Sequence, residues 1–345
     1  MTAPSGTLRF GSARIEMAHG AGGKAGGRLV QQLIAPYLLP ECGPLSDAAT
    51  IAIGNCEVAM TTDAFVVRPI TFAGGSIGEL AINGTANDLA VSGARPVAIV
   101  VSLILEEGLL AETLAAELEA MARAAAAAGV RIVGGDTKVV ERGHADSLYI
   151  TTAGIGQYLP RAAVSPARVA PGDKVIVSGP IGDHGITVLL ARGDLDLESD
   201  IRSDTRCVFP MVAALLETVG ESVHWMRDPT RGGLATSLNE LAIDTALAIH
   251  LDEEAVPVRA AVRGACELLG LDPLHIANEG QFVAIVASDD AERALQALRG
   301  VPGGEEATLI GEVRPEPAGA VVVSARYGGS RIVDMLSGDP LPRIC

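Results

Sequence analysis

Aromatic residues and clustered positive charges are both scarce in this sequence. Phe, Trp and Tyr make up 3% of its 345 residues, whereas hydrophobic residues make up 48%. A large core is therefore available, and it must consist mainly of Ala, Val, Leu and Ile. The 42 acidic residues outnumber the 26 basic ones, giving a formal net charge of −16 that no run of Lys or Arg interrupts. Such a surface repels phosphate backbones, so we expect no nucleic-acid partner.

The sequence also lacks paired cysteines, a leader-like beginning and long apolar runs. No two of its cysteines form a C-x-x-C pair, which excludes a zinc knuckle and a dithiol redox motif: Cys42, Cys56, Cys207, Cys266 and Cys345. The odd number of cysteines, together with a beginning that has no charged and apolar leader regions, favours a reducing compartment. The most apolar stretches, such as residues 96–105, have about half the length of a membrane helix. We expect a cytoplasmic protein without membrane contact.

Short β-rich runs alternate with helical windows rich in Ala and Leu, which predicts a mixed α/β fold. The clearest helical window is 109–128, and strand-like runs include 58–62, 97–105, 130–133, 148–155, 174–178, 282–287 and 320–324. The length favours two domains. Three prolines interrupt both periodicities between Tyr158 and Asp173, which makes this stretch the best boundary.

Asp63, Asp136 and Asp228 each follow an apolar strand-like run, and Asp88 lies in the motif at 84–89 (GTANDL). Strand ends of α/β proteins meet at one edge of the sheet, where ligands usually bind. Carboxylates gathered there suit Mg²⁺, which completes its coordination with substrate phosphates. The alternative is that each Asp only caps a helix or forms a turn.

Glycines and cations surround two of these aspartates. Gly134-Gly135-Asp136-Thr137-Lys138 places a lysine beside a carboxylate, and 227–233 (RDPTRGG) places arginines on both sides of Asp228. Flexible Gly backbone, N–H groups at a helix start and fixed cations favour a polyphosphate cradle. Two surface loops with internal salt bridges are the alternative.

A Gly-rich run spans residues 19–27 (HGAGGKAGG). It fails the P-loop pattern, because Ala18 and Ala25 occupy the Gly and Ser/Thr positions. It fits the dinucleotide-binding pattern only loosely, with Asp47 as the one acid near the expected spacing. We expect a mobile Gly-rich lid.

The sequence finishes on Pro340-Leu341-Pro342-Arg343-Ile344-Cys345. The two prolines stiffen the backbone, so the last three residues are expected to project as an arm. The Cys345 thiolate, with Arg343 nearby, is a candidate nucleophile or carrier, although a cysteine in this position can also be without a role. His184 and Glu279 are either proton-transfer groups or caps.

Together these motifs resemble the HypE family of hydrogenase maturation proteins, in the superfamily that includes aminoimidazole ribonucleotide synthetase, selenophosphate synthetase and thiamine-monophosphate kinase. The resemblance covers nearly the whole chain and rests on residues 19–23, 61–63, 87–94, 135–140, 182–185, 227–233, 278–280 and 342–345. The ending is the most specific motif, because the sister enzymes lack a terminal cysteine used in this way. Asn83 and Gln281 stand where the family pattern leads us to expect a Cys and a basic residue.

The resemblance implies a two-part α/β (α+β) architecture like that of aminoimidazole ribonucleotide synthetase, with mixed sheets, flanking helices and an extended C-terminal tail. Residues 1–45 would form a Gly-rich arm, and 46–160 an α/β domain with the ATP site and the dimer interface. Residues 161–312 would form an α+β domain, and 313–345 the last strand and a mobile tail ending in Cys345.

The resemblance also implies a homodimer that uses ATP and Mg²⁺. The residues expected to bind ATP are Asp63, Asn87, Asp88, Gly135, Asp136, Thr137, Arg227, Asp228, Arg231 and Gly232. Asp63, Asp88 and Asp228 are the expected Mg²⁺ ligands. The expected catalytic residues are Cys345, Glu279, Lys138 and His184, with Glu279 and Lys138 as candidate bases.

The implied reaction takes place on the sulfur of Cys345. A HypF-type carbamoyltransferase would load a carbamoyl group there, and ATP-dependent dehydration would convert the S-carboxamide into an S-cyanide. The cyanide would pass to iron on a HypC–HypD complex for a [NiFe]-hydrogenase. Phosphorylation makes the amide oxygen a good leaving group with help from Mg²⁺ and cations, and a base must remove the amide protons.

Two other functions remain open from the sequence. One is a related phosphotransferase that acts on a free small molecule, with Cys345 incidental. The other is a scaffold that displays Cys345 and hydrolyses nothing. Turnover of ATP separates the scaffold from both enzymes, and dependence on a carbamoylated tail separates the two enzymes.

Overall fold

The computed structural model describes residues 10, 12–20, 22–38, 46–193, 199–325, 328–338, 341 and 343–345. Up to residue 158 its helices are α1 (Lys24–Leu29), α2 (Ala35–Leu38), α3 (Ile77–Val91) and α4 (Ala111–Ala128), with a π-helical turn at Val30–Ile34. The strands of this part are β1 (Ala49–Ile53), β2 (Cys56–Phe65), β3 (Thr71–Phe72), β4 (Gly75–Ser76), β5 (Ala94–Glu106), β6 (Arg131–Val140) and β7 (Leu148–Tyr158).

Helices and strands also alternate beyond residue 158. The helices are α5 (Asp183–Ala191), α6 (Phe209–Val219), α7 (Gly233–Thr245), α8 (Ala260–Leu269) and α9 (Ala291–Arg299). The strands are β8 (Lys174–Val177), β9 (Val223–Arg227), β10 (Ala248–Asp252), β11 (Val283–Val286), β12 (Thr308–Arg314), β13 (Val321–Ser324) and β14 (Ser330–Val333). The predicted α/β fold is confirmed.

Two mixed sheets organise these elements. The first has the strand order β1-β2-β7-β5-β6, antiparallel except for the parallel pair β5–β6. The second has the order β14-β13-β10-β12-β8-β11-β9, in which β10 and β13 are parallel. The segment between β7 and β8 joins the two sheets. The predicted division at 312/313 falls inside β12, and the residues beyond it contribute two strands, not one, to the second sheet.

Helix α3 lies at the centre of the molecule and is buried along nearly its whole length. It packs against β2, β5 and β7 on one side and against α6 and β9 of the second part. Close packing requires glycine at two of its positions. A Cβ at Gly78 would lie 2.4 Å from the backbone oxygen of Glu117, and one at Gly84 would lie 2.9 Å from the Phe65 ring. Residues on α3 are therefore held rigidly between the two parts.

The other face of the first sheet carries exposed apolar side chains. Inner and outer residues alternate along β2 and β7, as the pleat of a half-covered sheet requires. On this open face the exposed apolar residues are Ile51, Ile53, Met60, Val100 and Ile155. A patch of this kind usually marks an interaction surface. Among the described residues, no helix has the length and apolarity needed to cross a membrane.

Candidate functional site

Three carboxylates from distant parts of the chain converge at one place. Asp47 lies just before β1, Asp88 on α3 and Asp228 directly after β9. One oxygen of each lies within 4.8 Å of the others. Asp63, on the inner face of β2, lies beside Asp88 and Thr85, whose side chains oppose the effect of burial on its pKa. The structure thus brings two of the predicted metal ligands, Asp88 and Asp228, together with Asp47, and Asp63 lies beside this group.

Burial raises the pKa of each of these carboxyls, and repulsion from neighbouring carboxylates adds to this effect for Asp47, Asp88 and Asp228. For Asp228, burial followed by the charge of Asp47 raises the pKa to about 8, against the opposing effect of Arg227. For Asp88, burial and then the charges of Asp63, Asp228 and Asp47 raise the pKa well above its usual value. Burial also raises the pKa of Asp47 and of Asp63. Carboxylates that resist ionising together fit a divalent cation, because its charge compensates theirs.

Arg227 lies at the rim of this acid cluster. Its Nε is 2.9 Å from Oδ1 of Asp47, and its Nη1 is 3.2 Å from Oε2 of Glu240. Burial opposes the charge of Arg227, but the carboxylates of Asp47 and Glu240 outweigh burial and raise its pKa. Its ion pairs occupy it in this conformation, so Arg227 supports Asp47 directly.

Arg231 and Gly232 form the turn that leads into α7. Gly232 has φ 76°, and a Cβ there would lie 2.2 Å from Oγ1 of Thr236, so glycine is required. The positive charge of Arg231 lowers the pKa of Asp63 and of Glu279, which places its guanidinium near both. The turn therefore brings a cation to the site, as predicted from its sequence.

The Gly-rich segment near the N-terminus covers this turn. A Cβ at Gly22 would lie 3.0 Å from Cβ of Arg231, and the Lys24 N–H donates to the Leu336 oxygen at 3.0 Å. Lys24 also forms an ion pair with Asp334. A 3₁₀ turn at Met17–Gly20 precedes α1 where a dinucleotide-binding motif requires a strand. The segment lies where a lid would, and its mobility stays a prediction; Ala21 lies outside the described residues.

A cleft of about 800 Å³ opens beside the acid cluster. Asp47, Arg227 and Trp225 form one wall, and Tyr158 with residues 162–166 of the connecting segment forms another. Its size falls in the range of small-molecule sites. A ligand in this cleft would contact both parts of the molecule.

Glu279 is buried between α3 and the loop that precedes β11. Its Oε1 accepts no hydrogen bond from any residue that the structure describes. Its Oε2 would lie 3.9 Å from a Cβ on Gly84, which places the carboxyl group next to this part of α3. Burial and then the charges of Asp228, Asp204 and Asp63 raise the pKa of Glu279 well above its usual value. A buried acid of this kind is a good proton-transfer group.

The C-terminal residues dock into the first part of the molecule. Val66 N–H donates to the Cys345 oxygen at 3.1 Å, and Arg68 N–H donates to the Arg343 oxygen at 3.3 Å. Leu341, Ile344 and Cys345 are buried in one apolar cluster. The expectation that the last three residues project as an arm is therefore wrong, because Ile344 provides apolar surface to bury. Pro340 and Pro342 lie outside the described residues.

His184 holds this tail. Its Nε2 lies 2.8 Å from the Ile344 oxygen and its Nδ1 lies 2.8 Å from Oγ of Ser203. Burial lowers the pKa of His184 to about 4. The ring is neutral and both its nitrogens have partners, so this arrangement gives His184 a role in positioning and leaves its predicted role in proton transfer without support.

One chain does not bring Gly135, Asp136, Thr137 and Lys138 to the acid cluster. They lie on β6, an exposed edge strand, and Lys138 pairs with Asp136 at 2.7 Å. Asp136 lies in register with Ser102, Thr151 and Ala64 across the sheet. Three strand spacings, roughly 14 Å, therefore separate it from β2. Its row faces the open side of the sheet, whereas Asp63 faces α3.

The side-chain amide of Asn87 is hydrogen-bonded within the protein. Its amide donates to the Arg206 and Glu279 oxygens at 2.9 and 3.1 Å, and its oxygen accepts from Val208 N–H at 2.8 Å. Both N–H groups of the amide are thus used within the protein, so in this conformation Asn87 cannot donate the predicted hydrogen bond to ATP. Asn87 instead fixes the loop that carries Glu279.

Asp47 is the functional residue that the sequence did not reveal. It precedes the exposed strand β1 and follows residues outside the described range, and its only sequence signal was a distance from the Gly-rich run. Its closeness to Asp88 and Asp228 depends on long-range packing.

Comparison with known families supports the same architecture. Residues 45–158 match the family model of the AIR synthase related protein N-terminal domain. Residues 170–324 match the model of the AIR synthase related protein C-terminal domain. The two matches adjoin the segment that connects the two sheets.

Individual proteins with similar sequences and structures span nearly the whole chain. The carbamoyl dehydratase HypE of Azotobacter vinelandii is 48% identical over 98% of both chains. A chain of a HypE–HypF complex superposes with a TM-score of 0.85 at 42% identity, over 89% of this chain and 99% of that one. A HypE structure in complex with ATP superposes with a TM-score of 0.80 at 44% identity, over 96% and 100%.

Proposed function

The chain belongs to the carbamoyl dehydratase HypE family, and from this premise we propose that it dehydrates a carbamoyl group carried on Cys345 to an S-cyanide with ATP. It is thus an ATP-dependent dehydratase of hydrogenase maturation. The cyanide would become a ligand of the iron of a [NiFe]-hydrogenase.

The observation that carries the proposal is the position of the tail along β2. Asp63 of the acid cluster lies on β2, and Val66, which binds Cys345, follows it by three residues. An extended backbone spans roughly 10 Å over that distance. One rigid stretch of chain therefore fixes the sulfur relative to the carboxylates that would hold the nucleotide's metal, and a triphosphate can bridge such a distance.

The chemistry balances with ATP as the second substrate. The amide oxygen of the S-carboxamide attacks the γ-phosphorus of ATP, an O–P bond forms and the bond to ADP breaks. The nitrogen then loses its protons while the carbon–oxygen bond breaks, which leaves S–C≡N and releases phosphate. Glu279 is the proposed base, because it is buried and its Oε1 has no partner among the described residues. Apolar neighbours of Cys345 exclude water from the reacting group.

Mg²⁺ is the proposed metal, held by Asp47, Asp88 and Asp228 with Asp63 beside them. When bound, it would neutralise charge on the phosphates of ATP. Arg231 and Arg227 supply fixed positive charge at the same place. The cleft beside Asp47 offers room for the rest of the nucleotide.

A homodimer is part of the proposal, because one chain leaves its site incomplete. Lys138 and the rest of the 135–138 segment lie on the open face and edge of the first sheet, away from their own chain's acid cluster. The exposed apolar residues of that face are typical of a surface that another protein covers. A second copy on this face would bring its Lys138 to the first copy's site. Lys138 would then act as the second base or as a phosphate ligand.

Two further partners are proposed. A HypF-type carbamoyltransferase would load Cys345, in keeping with the similarity to the HypE chain of a HypE–HypF complex. A HypC–HypD complex would receive the cyanide. Loading requires the docked tail to leave its place, because Cys345 is buried in this conformation.

Mass spectrometry of the C-terminal peptide tests the reaction. With carbamoyl donor and ATP, we expect a carbamoyl adduct on Cys345 that then loses the mass of one water. Cys345→Ser should abolish both signals, since no sulfur remains. Cys266→Ser is the matched control, because it removes another buried thiol. Adducts confined to other cysteines, or ATP turnover that does not depend on a carbamoylated tail, would refute the proposal.

A further inference from the structure

A short segment without helix or strand, Ser203–Arg206, contacts α3, the loop of Glu279 and His184, which holds the tail. We propose that this segment, called the 203–206 strap, positions Cys345 and Glu279 relative to each other; the catalytic part of this inference rests on the proposed function. No residue of the strap stood out in the sequence. Its contacts fall into three groups, each described below.

Ser203 fixes the tail through His184. The Ile344 oxygen can only accept, so His184 Nε2 carries the proton and donates to it at 2.8 Å. His184 Nδ1 is then an acceptor, and the Ser203 hydroxyl donates to it at 2.8 Å. Thr205 N–H in turn donates to the Ser203 oxygen at 3.1 Å. This directional chain fixes the ring and the peptide that precedes Cys345.

Asp204 holds the loop that carries Glu279. Its two carboxylate oxygens accept from the backbone N–H groups of Glu279 and Gly280, each at 3.1 Å. A Cβ at Gly280 would lie 1.8 Å from the Asp204 backbone oxygen, so the loop and the strap are in direct contact. Arg206 Nε adds a hydrogen bond to the Gly280 oxygen at 2.9 Å. The backbone of Glu279 is thus tied to the strap.

The strap itself is anchored on α3. Asn83 donates to the Thr205 hydroxyl at 3.3 Å, and Asn87 donates to the Arg206 oxygen at 2.9 Å. Helix α3 also carries Asp88 of the acid cluster. Helix α3 is therefore a common rigid support for Asp88, for the loop of Glu279 and, through the strap and His184, for the peptide that precedes Cys345. Positioning matters because small displacements of reacting groups reduce rates by large factors.

The first test measures how often the tail undocks, and it does not depend on catalysis. The rate of iodoacetamide alkylation at Cys345, read by peptide mass, reports how often the tail leaves its place. We expect Ser203→Ala to raise this rate roughly tenfold, because it leaves a buried ring nitrogen unpaired. Ser203→Thr, which keeps the hydroxyl, should retain the parent rate. Ser199→Ala is the matched control, since Ser199 also accepts from the N–H two residues on, at 3.2 Å, but does not contact His184. An unchanged rate in Ser203→Ala overturns this half of the inference.

The second test measures whether Asp204 positions Glu279 for the dehydration step. In protein already carbamoylated on Cys345, Asp204→Asn should slow ATP-dependent loss of water by on the order of 100-fold, with unchanged ATP affinity. If Asp204 acts through Glu279, the double variant Asp204→Asn/Glu279→Gln should be no slower than Glu279→Gln alone. Glu117→Gln is the stability control, because Glu117 is a buried carboxylate that accepts from Gly78 N–H and Thr71 outside the site.

Failure of the strap proposal can be distinguished from failure of the proposed reaction. If the rate reductions of Asp204→Asn and Glu279→Gln multiply in the double variant, Asp204 does not act through Glu279. If Glu117→Gln slows the loss of water as much as Asp204→Asn does, the effect of Asp204→Asn is a general loss of stability. Either result would overturn the proposed role of Asp204. If the parent protein takes no carbamoyl group on Cys345, the proposed function fails, and the alkylation rates still decide whether the strap holds the tail.

Discussion

The backbone N–H of Val66 donates a hydrogen bond to the Cys345 oxygen at 3.1 Å, directly beyond the end of β2. A second bond, from Arg68 N–H to the Arg343 oxygen, continues the same pattern two residues on. Two backbone hydrogen bonds thus fasten the tail to residues 66–68, and Ile344 between these bonds is 2% exposed.

Replacing Ile344 should release the tail without unfolding the protein. Ile344→Ala removes most of the buried side chain, which costs roughly 2 kcal/mol or more of docking free energy. Amide hydrogen exchange at Val66 and Arg68 should then accelerate, because their acceptors lie on the tail. Ile243→Ala, at a residue 55% exposed, should leave both amides unchanged. Unchanged exchange in Ile344→Ala would contradict the docked tail.

Neutralising one carboxylate of the acid cluster should have opposite effects on metal binding and on metal-free stability. Asp88→Asn removes a ligand, so Mg²⁺ affinity by calorimetry should fall at least about tenfold. In a chelator the same variant should melt at a higher temperature, because burial and three neighbouring carboxylates raise the pKa of Asp88 and make its charge unfavourable. Asp252→Asn, at an exposed position, should change neither value. A lower melting temperature for Asp88→Asn in chelator would argue against a repulsive cluster.

His184 should make the protein less stable as the pH falls. Its folded pKa is about 4, below the ordinary 6.5, so between these values the unfolded chain binds a proton that the folded chain does not. The free energy of unfolding attributable to His184 therefore rises with pH across this window and is lost as the pH falls from 6.5 towards 4. Urea denaturation at several pH values measures it. His184→Gln should flatten the slope in this window by about one proton, and His250→Gln, at a half-exposed histidine, is the comparison.

Mixing two inactive variants tests whether the site is shared between copies. If Asp88 of one copy works with Lys138 of the other, a mixed dimer of Asp88→Asn and Lys138→Ala chains contains one intact site and one doubly altered site. Random exchange of subunits should then restore about one quarter of the parent activity. If both residues act within one chain, every site in the mixed dimer carries one change and activity stays absent. Sedimentation of the mixture establishes that dimers form.

The sequence by itself determined the type and order of the secondary-structure elements. The β-rich runs at 58–62, 97–105 and 148–155 all lie inside observed strands, and the helical window at 109–128 contains α4. These properties follow from the spacing of apolar residues over a few neighbouring positions. Asp63 and Asp228 were likewise recognisable, because an acid that follows an apolar run is a local signal. Asp88 stood out only through its Gly- and Asn-containing motif, and it lies within α3.

Only the tertiary structure decided which of these residues meet. Asp47 joins Asp88 and Asp228 although the chain separates them widely, and Lys138 lies three strands from β2 although its motif reads as part of the same cradle. The tail was wrongly expected to project, because local stiffness predicts an extended backbone but not the apolar surface that receives Ile344. Strand order and packing set distances between remote segments, and these depend on contacts distributed over the whole chain. For the same reason, the contacts of Ser203 and Asp204 became visible only in the folded molecule.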